Sequence, residues 1–248
     1  MTARILTIDL ERLPGSVPIF DARVRGGYIH PSRWTSYPTT LCFAAKWYGR
    51  KAVEFHATWL DPEAMLRRSW ELYDEADIVV TYNGKKADNR WLRDDWAQAK
   101  MTPPSPWRDV DLYTVNKSTF GFESASLDHL CERLGLPRKV DHYDPTVARA
   151  AADGDAKAQA RIKRYNVGDV RITEAAYEAL RPWVKAHPNL GLYSGADKAC
   201  SSCGSEDIAP NGWTRTALTT YALYRCNSCG ANLRTAHRKN GAGIRGAS

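Results

Sequence analysis

Apolar runs and apolar stripes alternate along this chain, and the alternation predicts its architecture. Arg4–Leu10 is short, β-branched and apolar; it reads as a buried strand broken by Pro14-Gly15. Thr39–Tyr48 and Lys51–Thr58 read as a hairpin that turns at Gly49-Arg50. Asp77–Tyr82 is almost wholly apolar, the pattern of a central strand. Helical stripes fall between and after these runs. Met65, Leu66, Trp70 and Tyr73 follow the start signal Asp61-Pro62-Glu63, and Trp91, Leu92 and Trp96 share one face of Lys86–Ala99. Ser124–Leu127 leads into a helix with Leu130, Cys131 and Leu134, closed by Gly135. Val110–Val115 is a short strand or the opening of a helix. Asp153-Gly154-Asp155 caps a helix from Ala156, and Arg164–Val170 reads as the first turns of a helix that continues to about Ala186, before His187-Pro188. Strands alternating with helices predict an α/β layered domain.

The segments between these elements set the expected boundaries. Ser16–Ser36 is an irregular basic and aromatic loop with Arg23, Arg25, Tyr28, His30, Arg33 and Trp34, suited to nucleic-acid contact or to an ordinary surface. Met101–Pro106 is a proline-stiffened connector. Small residues without apolar period at 190–197 predict a linker. That gives a main domain over 1–189, a cysteine module over 198–233 and a flexible basic tail over 234–248.

Charge narrows the range of partners. Lys and Arg number 35 against 28 Asp and Glu, a formal net charge of +7, which suits a polyanion without requiring one. There is no apolar run of membrane-spanning length, and Met1–Asp9 is too short and too soon acidic for a signal peptide; a cytoplasmic protein is the expectation. Without export, Cys200, Cys203, Cys226 and Cys229 favour a metal site over a disulfide framework, while Cys42 and Cys131 fall on apolar faces as buried small residues.

The candidate chemistry lies in carboxylates far apart in sequence. Asp9 and Glu11 point to one side of an extended chain, Asp88 sits in the first turn of a helix, and Tyr165 and Asp169 lie one helical turn apart. A lone Asp-x-Glu is also the ordinary solvated end of a strand, and Asp111, another potential ligand, reads more simply as a helix cap. If Asp9, Glu11, Asp88 and Asp169 share a pocket, their repulsion calls for hard divalent cations, Mg²⁺ or Mn²⁺. Two such ions about 3.5–4 Å apart serve in-line displacement at phosphorus, one generating hydroxide and one stabilising the leaving 3′ oxygen. Tyr165, with an ordinary pKa near 10, is a poor base at neutral pH and is assigned to orienting the attacking water.

Ile8-Asp9-Leu10-Glu11, Thr81-Tyr82-Asn83-Gly84 with Asp88, and Tyr165-Asn166-Val167-Gly168-Asp169 resemble the three exonuclease motifs of the DEDD superfamily. These are proofreading-type 3′-5′ exonucleases on a ribonuclease H-like fold. The tyrosine four before the last aspartate resembles the tyrosine branch; where the sister branch has histidine, five before that aspartate, this chain has Arg164. The resemblance spans about residues 4–186 and includes Asp111-Leu112-Tyr113 and the Leu127–Gly135 helix. It implies a mixed sheet flanked by helices, Asp9, Glu11, Asp88 and Asp169 as the metal-binding acids, Tyr165 as water-orienting, and Asn83 lining the terminal-nucleotide pocket. Ala87 departs from the pattern, since family members often carry an aromatic just before the second-motif aspartate; the base pocket is where a difference is expected.

Cys200-Ser201-Ser202-Cys203-Gly204 and Cys226-Asn227-Ser228-Cys229-Gly230 are matching knuckles with 22 residues between them. A glycine after each second cysteine permits the turn that aims both sulfurs at one ion. The segment from Trp213 to Arg225 reads as strand. The pattern resembles a zinc ribbon holding one structural Zn²⁺ on four thiolates. From Ala196 onward the chain carries a net charge of +4, so this module can meet nucleic acid or dock on a replication protein.

These readings converge on a 3′-5′ exonuclease that hydrolyses phosphodiester bonds, DNA being the expected substrate, at single strands or a primer 3′ end in replication or repair. Two others stay open: an endonuclease or ribonuclease on the same fold, and a non-catalytic zinc-ribbon adaptor.

Overall fold

The computed structural model describes residues 2–19, 28–196 and 198–243. The chain divides into two compact units, the first built from Arg4–Thr114 and Phe122–Ala176, the second from Val115–Gly121 and the chain from Tyr177 onward, with the residues before Arg4. The linker expected at 190–197 therefore falls inside the second unit.

The first unit is an α/β layer around a five-stranded mixed sheet. Its strands are β1 (Ile5–Leu13), β2 (Thr39–Trp47), β3 (Glu54–Ala57), β4 (Ile78–Thr81) and β5 (Arg108–Asp111), in the spatial order β3-β2-β1-β4-β5. β1, β2 and β3 are antiparallel neighbours, and β4 and β5 run parallel to β1. β1 is central and fully flanked, which explains why Leu6, Ile8 and Leu10 are buried. Helices α1 (Pro62–Glu75) and α2 (Asp88–Gln98) cover one apolar face, where Leu6, Ile8, Phe43, Leu72, Tyr73 and Trp96 pack together. A second cluster joins Leu41, Cys42, Ala57, Ala148 and Ile162, drawing in α5 (Pro145–Ala152), an element with no counterpart in the sequence reading. Asp61 caps α1 through the Ala64 amide as its Asp-Pro-Glu start predicts. The Val110–Val115 ambiguity has a double answer. β5 ends at Asp111, and α3 (Leu112–Thr119) begins at the next residue.

Helix α4 (Leu127–Leu134) is capped by Ser126 and stopped by Gly135. The largest difference from expectation is α6 (Ala156–Leu180), one helix of 25 residues. Tyr165 and Asp169 lie in its middle, not in its first turns. Ala156–Arg164 is made of strong helix formers, Asp155 accepts from the amides of Lys157 and Ala158, and nothing breaks the helix before Tyr165. Its end is earlier than Ala186: Pro182 lacks the amide that another turn needs, so Arg181–Trp183 closes as a 3₁₀ turn. Of the long basic loop, Ser16 and Ser36 are bridged and Pro31–Arg33 form a 3₁₀ turn; Arg23 and Arg25 lie outside the described residues.

In the second unit, α7 (Gly191–Ser194) occupies the expected linker, and the Leu190 amide donates to Ser201 at 2.8 Å. The stretch read as one strand is a hairpin, β6 (Ile208–Arg215) and β7 (Thr219–Cys226), extended by β8 (Asn232–Arg234). β9 (Asn240–Gly241) pairs with the start of β7, and amides of Thr235, Lys239 and Ala242 donate to Ala222, Thr220 and Leu218. The segment expected as a free tail is thus tied to the sheet as far as Ala242, because it satisfies the backbone groups of β7. Among the described residues, no helix is long and apolar enough to cross a membrane.

Candidate metal centres

Sheet register brings the distant acids together. β1 and β4 run parallel with Thr7 opposite Val80, so Asp9 lies just beyond the C-terminal end of β4. There the chain leaves the sheet through Tyr82-Asn83-Gly84 and enters α2 at Asp88. This turn is specific: Asn83 adopts a left-handed φ of 69°, and a Cβ at Gly84 would fall 2.5 Å from that of Thr81. Asp111, at the end of β5, fixes the turn. Its carboxylate accepts from the amides of Asn83 and Lys85 and, at the start of α3, from those of Tyr113 and Thr114. Asp111 is therefore a backbone anchor, in line with the capping role read from sequence. Farther along, Asn89 ties α2 to Tyr73 and Asp109.

Asp9, Glu11 and Asp169 each offer a carboxylate oxygen, and these atoms all lie within 4.8 Å of one another. Asp88 is outside that group of three, but its charge is felt by both Asp9 and Glu11. Burial is the main force on all four, and repulsion from the others adds to it at Asp9 and Glu11. Asp9 is pushed well above the usual carboxylate range by burial and then by Glu11, Asp88 and Asp169. Glu11 is raised to about 8 by burial and Asp169, and Asp88 to about 7 by burial and Asp111. Burial raises Asp169 against the pull of Lys139 and the Tyr165 hydroxyl. Such a cluster is a poor resting place for four anions and a good one for a divalent cation, whose hard oxygen ligands these are.

Helix α6 supplies the remaining contacts. The Tyr165 hydroxyl hydrogen-bonds Asp169, and burial with three nearby carboxylates raises the phenol's pKa, so it stays protonated. Asn166 is fully buried and its amide nitrogen donates to the Asp9 carboxylate at 2.7 Å and to the Asp9 carbonyl at 3.1 Å, joining positions 157 residues apart. Lys139 places its ammonium 2.5 Å from Asp169 and 3.2 Å from the Tyr165 oxygen.

Sequence reasoning gave no role to Lys139 or Asn166. Lys139 stands in a polar stretch without periodicity, and nothing signals it. Asn166 had a signal: it lies between Ile162 and Val170 at intervals of four, a polar residue on a buried helical face.

Beside Glu11, a cavity of about 410 Å³ is lined by the end of β1, Pro38, Trp91 and Tyr143. The Arg12 guanidinium lies 4.9 Å from the centre of the Trp91 ring, donates to the Pro38 carbonyl at 2.5 Å, and keeps its other terminal nitrogen buried without a hydrogen-bond partner among the described residues. Asn83 is exposed and is not among the residues lining this cavity.

The second centre is in the second unit. Cys200 and Cys229 sulfurs are 3.7 Å apart, and those of Cys203 and Cys226 are 3.6 Å apart. These spacings are too long for disulfides, and they match the ~3.8 Å expected between thiolates bound tetrahedrally at about 2.3 Å to one zinc. The knuckles are built alike: the Gly204 amide donates to the Cys200 carbonyl and that of Gly230 to Cys226, at φ of 76° and 78°. Burial opposes ionisation of Cys226, but the amides of Cys229 and Ser228 and the neighbouring thiols bring it down to about 7. The four thiols can hold one Zn²⁺. In comparisons with known proteins, no family model matches the chain and no curated protein matches its sequence.

Proposed function

We propose that the chain is a metal-dependent 3′-5′ exonuclease of the DEDD type, tyrosine branch, on a ribonuclease H-like fold. The observation that carries this reading is the meeting of Asp9, Glu11 and Asp169 within 4.8 Å, from chain segments some 160 residues apart, with Tyr165 bonded to the last of them. The mixed sheet, with β1 flanked by antiparallel β2 and parallel β4, supports the fold assignment. Asp9, Glu11, Asp88 and Asp169 would hold Mg²⁺ or Mn²⁺. Bound there, the ions supply charge neutralisation and an activated water.

The chain's own groups do the rest. Asn166 fixes the Asp9 carboxylate by donating to it. Tyr165, kept protonated, is a hydrogen-bond donor that orients water without taking its proton. Asp111 holds the turn that delivers Asp88. The cavity beside Glu11 receives the terminal nucleoside; Trp91, one helical turn beyond Ala87, provides the aromatic wall that Ala87 lacks. In the second unit, the two knuckles and the β6–β7 hairpin form a zinc ribbon with one structural ion.

The test is a panel of 5′-labelled single-stranded DNA, mismatched primer–template, RNA and hybrid, with Mg²⁺ or Mn²⁺. Stepwise shortening from the 3′ end is expected, with DNA preferred and with loss on Asp9→Ala. Internal cuts at equal rate on 3′-blocked substrates, or undiminished activity of Asp9→Ala, would refute the proposal.

A further inference from the structure

Beyond the metal-holding end of the hairpin, the second unit's sheet presents an aromatic and cationic surface. Cross-strand register places Trp213 opposite Ala222 and Arg215 opposite Thr220, with Pro210 opposite Tyr224 across a bulge. Residues two apart on a strand, and residues directly opposite, share a face, so Trp213, Arg215, Ala222 and Tyr224 line one side. Trp213 is 47% exposed, large for an indole, and the Lys239 ammonium sits 3.8 Å from its ring centre. The other face repeats the pairing on a smaller scale, with Arg234 4.4 Å from the Tyr221 ring. Among the described residues, the buried apolar residues of this sheet gather at the cysteines, and the far half of the hairpin is only partly covered.

Charge decides what fits this face. From Ile208 to Gly243 there are five Lys and Arg and no Asp or Glu. An exposed aromatic ring with an ammonium over one face matches one nucleotide, with a base stacked on the ring and a phosphate drawing the ammonium, and it matches any base because every base has a π-face. A duplex offers no free base face to Trp213, and an unmodified protein surface rarely offers an unbroken row of anions.

We propose that the β6–β7 hairpin is a sequence-tolerant platform for single-stranded nucleic acid, with Trp213 stacking a base and Arg215 and Lys239 meeting the adjoining phosphates. This binding does not depend on the acid cluster, so it holds or fails separately from the exonuclease reading. The experiment is fluorescence anisotropy with the full zinc-loaded chain and labelled 20-mers of dT and rU, without added Mg²⁺ or Mn²⁺, across a salt series. Binding to either 20-mer should exceed binding to a duplex of equal length. Trp213→Ala should weaken it about tenfold, with Trp213→Phe restoring most of the loss. Arg215→Gln with Lys239→Gln, both exposed and unable to unfold the sheet, should flatten the log–log salt slope by about 1.4, at roughly 0.7 per phosphate contact. Zinc content should be unchanged in all three. The proposal is overturned if neither 20-mer binds, or if the charge variant leaves both affinity and salt slope as they were.

Discussion

The acid cluster and the cysteine cluster solve opposite problems. Asp9, Glu11, Asp88 and Asp169 are held by a sheet and helices whose apolar core is already complete, with Leu6, Ile8, Phe43 and Leu72 buried beneath them. The fold assembles and buries the acids although they repel; burial first, and then repulsion, holds Asp9 and Glu11 above the usual carboxylate range. The thiols have almost no core behind them: Cys200 and Cys226 are themselves the buried centre, joined by Ala231. A sheet this small cannot bury enough apolar surface to offset chain entropy, so on the proposed reading zinc takes the place of a core. On that reading the first centre would need its ion for chemistry and the second would need its ion for structure.

Cys226→Ser probes the contrast most severely. Structural zinc contributes about 10–16 kcal/mol to small domains, so zinc content should fall from about one equivalent towards none. Amide exchange protection across β6 and β7 should vanish with it. Protection that survives in the zinc-free variant would mean the hairpin has another source of stability. Glu11→Gln should do the reverse in the other unit. Nuclease turnover should drop about a thousandfold, while the metal-free chain melts higher at pH 8 by the equivalent of about 1 kcal/mol, as a repelling charge is gone. A lower melting temperature would show that Glu11 is satisfied where it stands.

Acidity gives a third and gentler probe. Glu11 moves from an ordinary 4.5 to about 8 in the folded chain, so the folded state binds more protons than the unfolded state between those values. Its ionisation therefore costs stability progressively as pH rises from about 4.5 to 8, and none of that cost is present below the lower limit. Asp88 adds to the fall up to about pH 7. The stability difference between the parent and Glu11→Gln, measured by urea unfolding without metal, should widen over this window, and Mg²⁺ should close it. A difference independent of pH would break the argument. Smallest in effect is Tyr165→Phe: turnover about tenfold slower with metal binding unchanged, and no alkaline limb in the parent's pH–rate profile up to about pH 10. A limb removed by the substitution would make the phenol a titrating base.

Much of this was legible from residues alone, for identifiable reasons. Strands β1 to β4 and helix α1 follow from apolar runs and a three-residue start signal, and the knuckles from spacing that is local in sequence. Asp9, Glu11, Asp88, Tyr165 and Asp169 could be named because each sits in a short motif. Their geometry could not, since it depends on β4 lying beside β1, which no local pattern states. The length of α6 was missed at Arg164–Tyr165 because a motif was mistaken for a boundary where the backbone has none. The docking of residues 235–242 on β7 was missed because glycine and basic residues suggest a free end, whereas the pairing uses backbone groups that every residue carries.

Lys139 gives the acid cluster an ammonium of its own, resting on Asp169 and the Tyr165 hydroxyl. On the proposed reading, loading the site would be an exchange and not a filling: an incoming ion would displace a tethered competitor that cannot diffuse away. The lysine would then set a floor under the divalent-cation concentration that the proposed nuclease needs, and shortening or neutralising that one side chain would lower it.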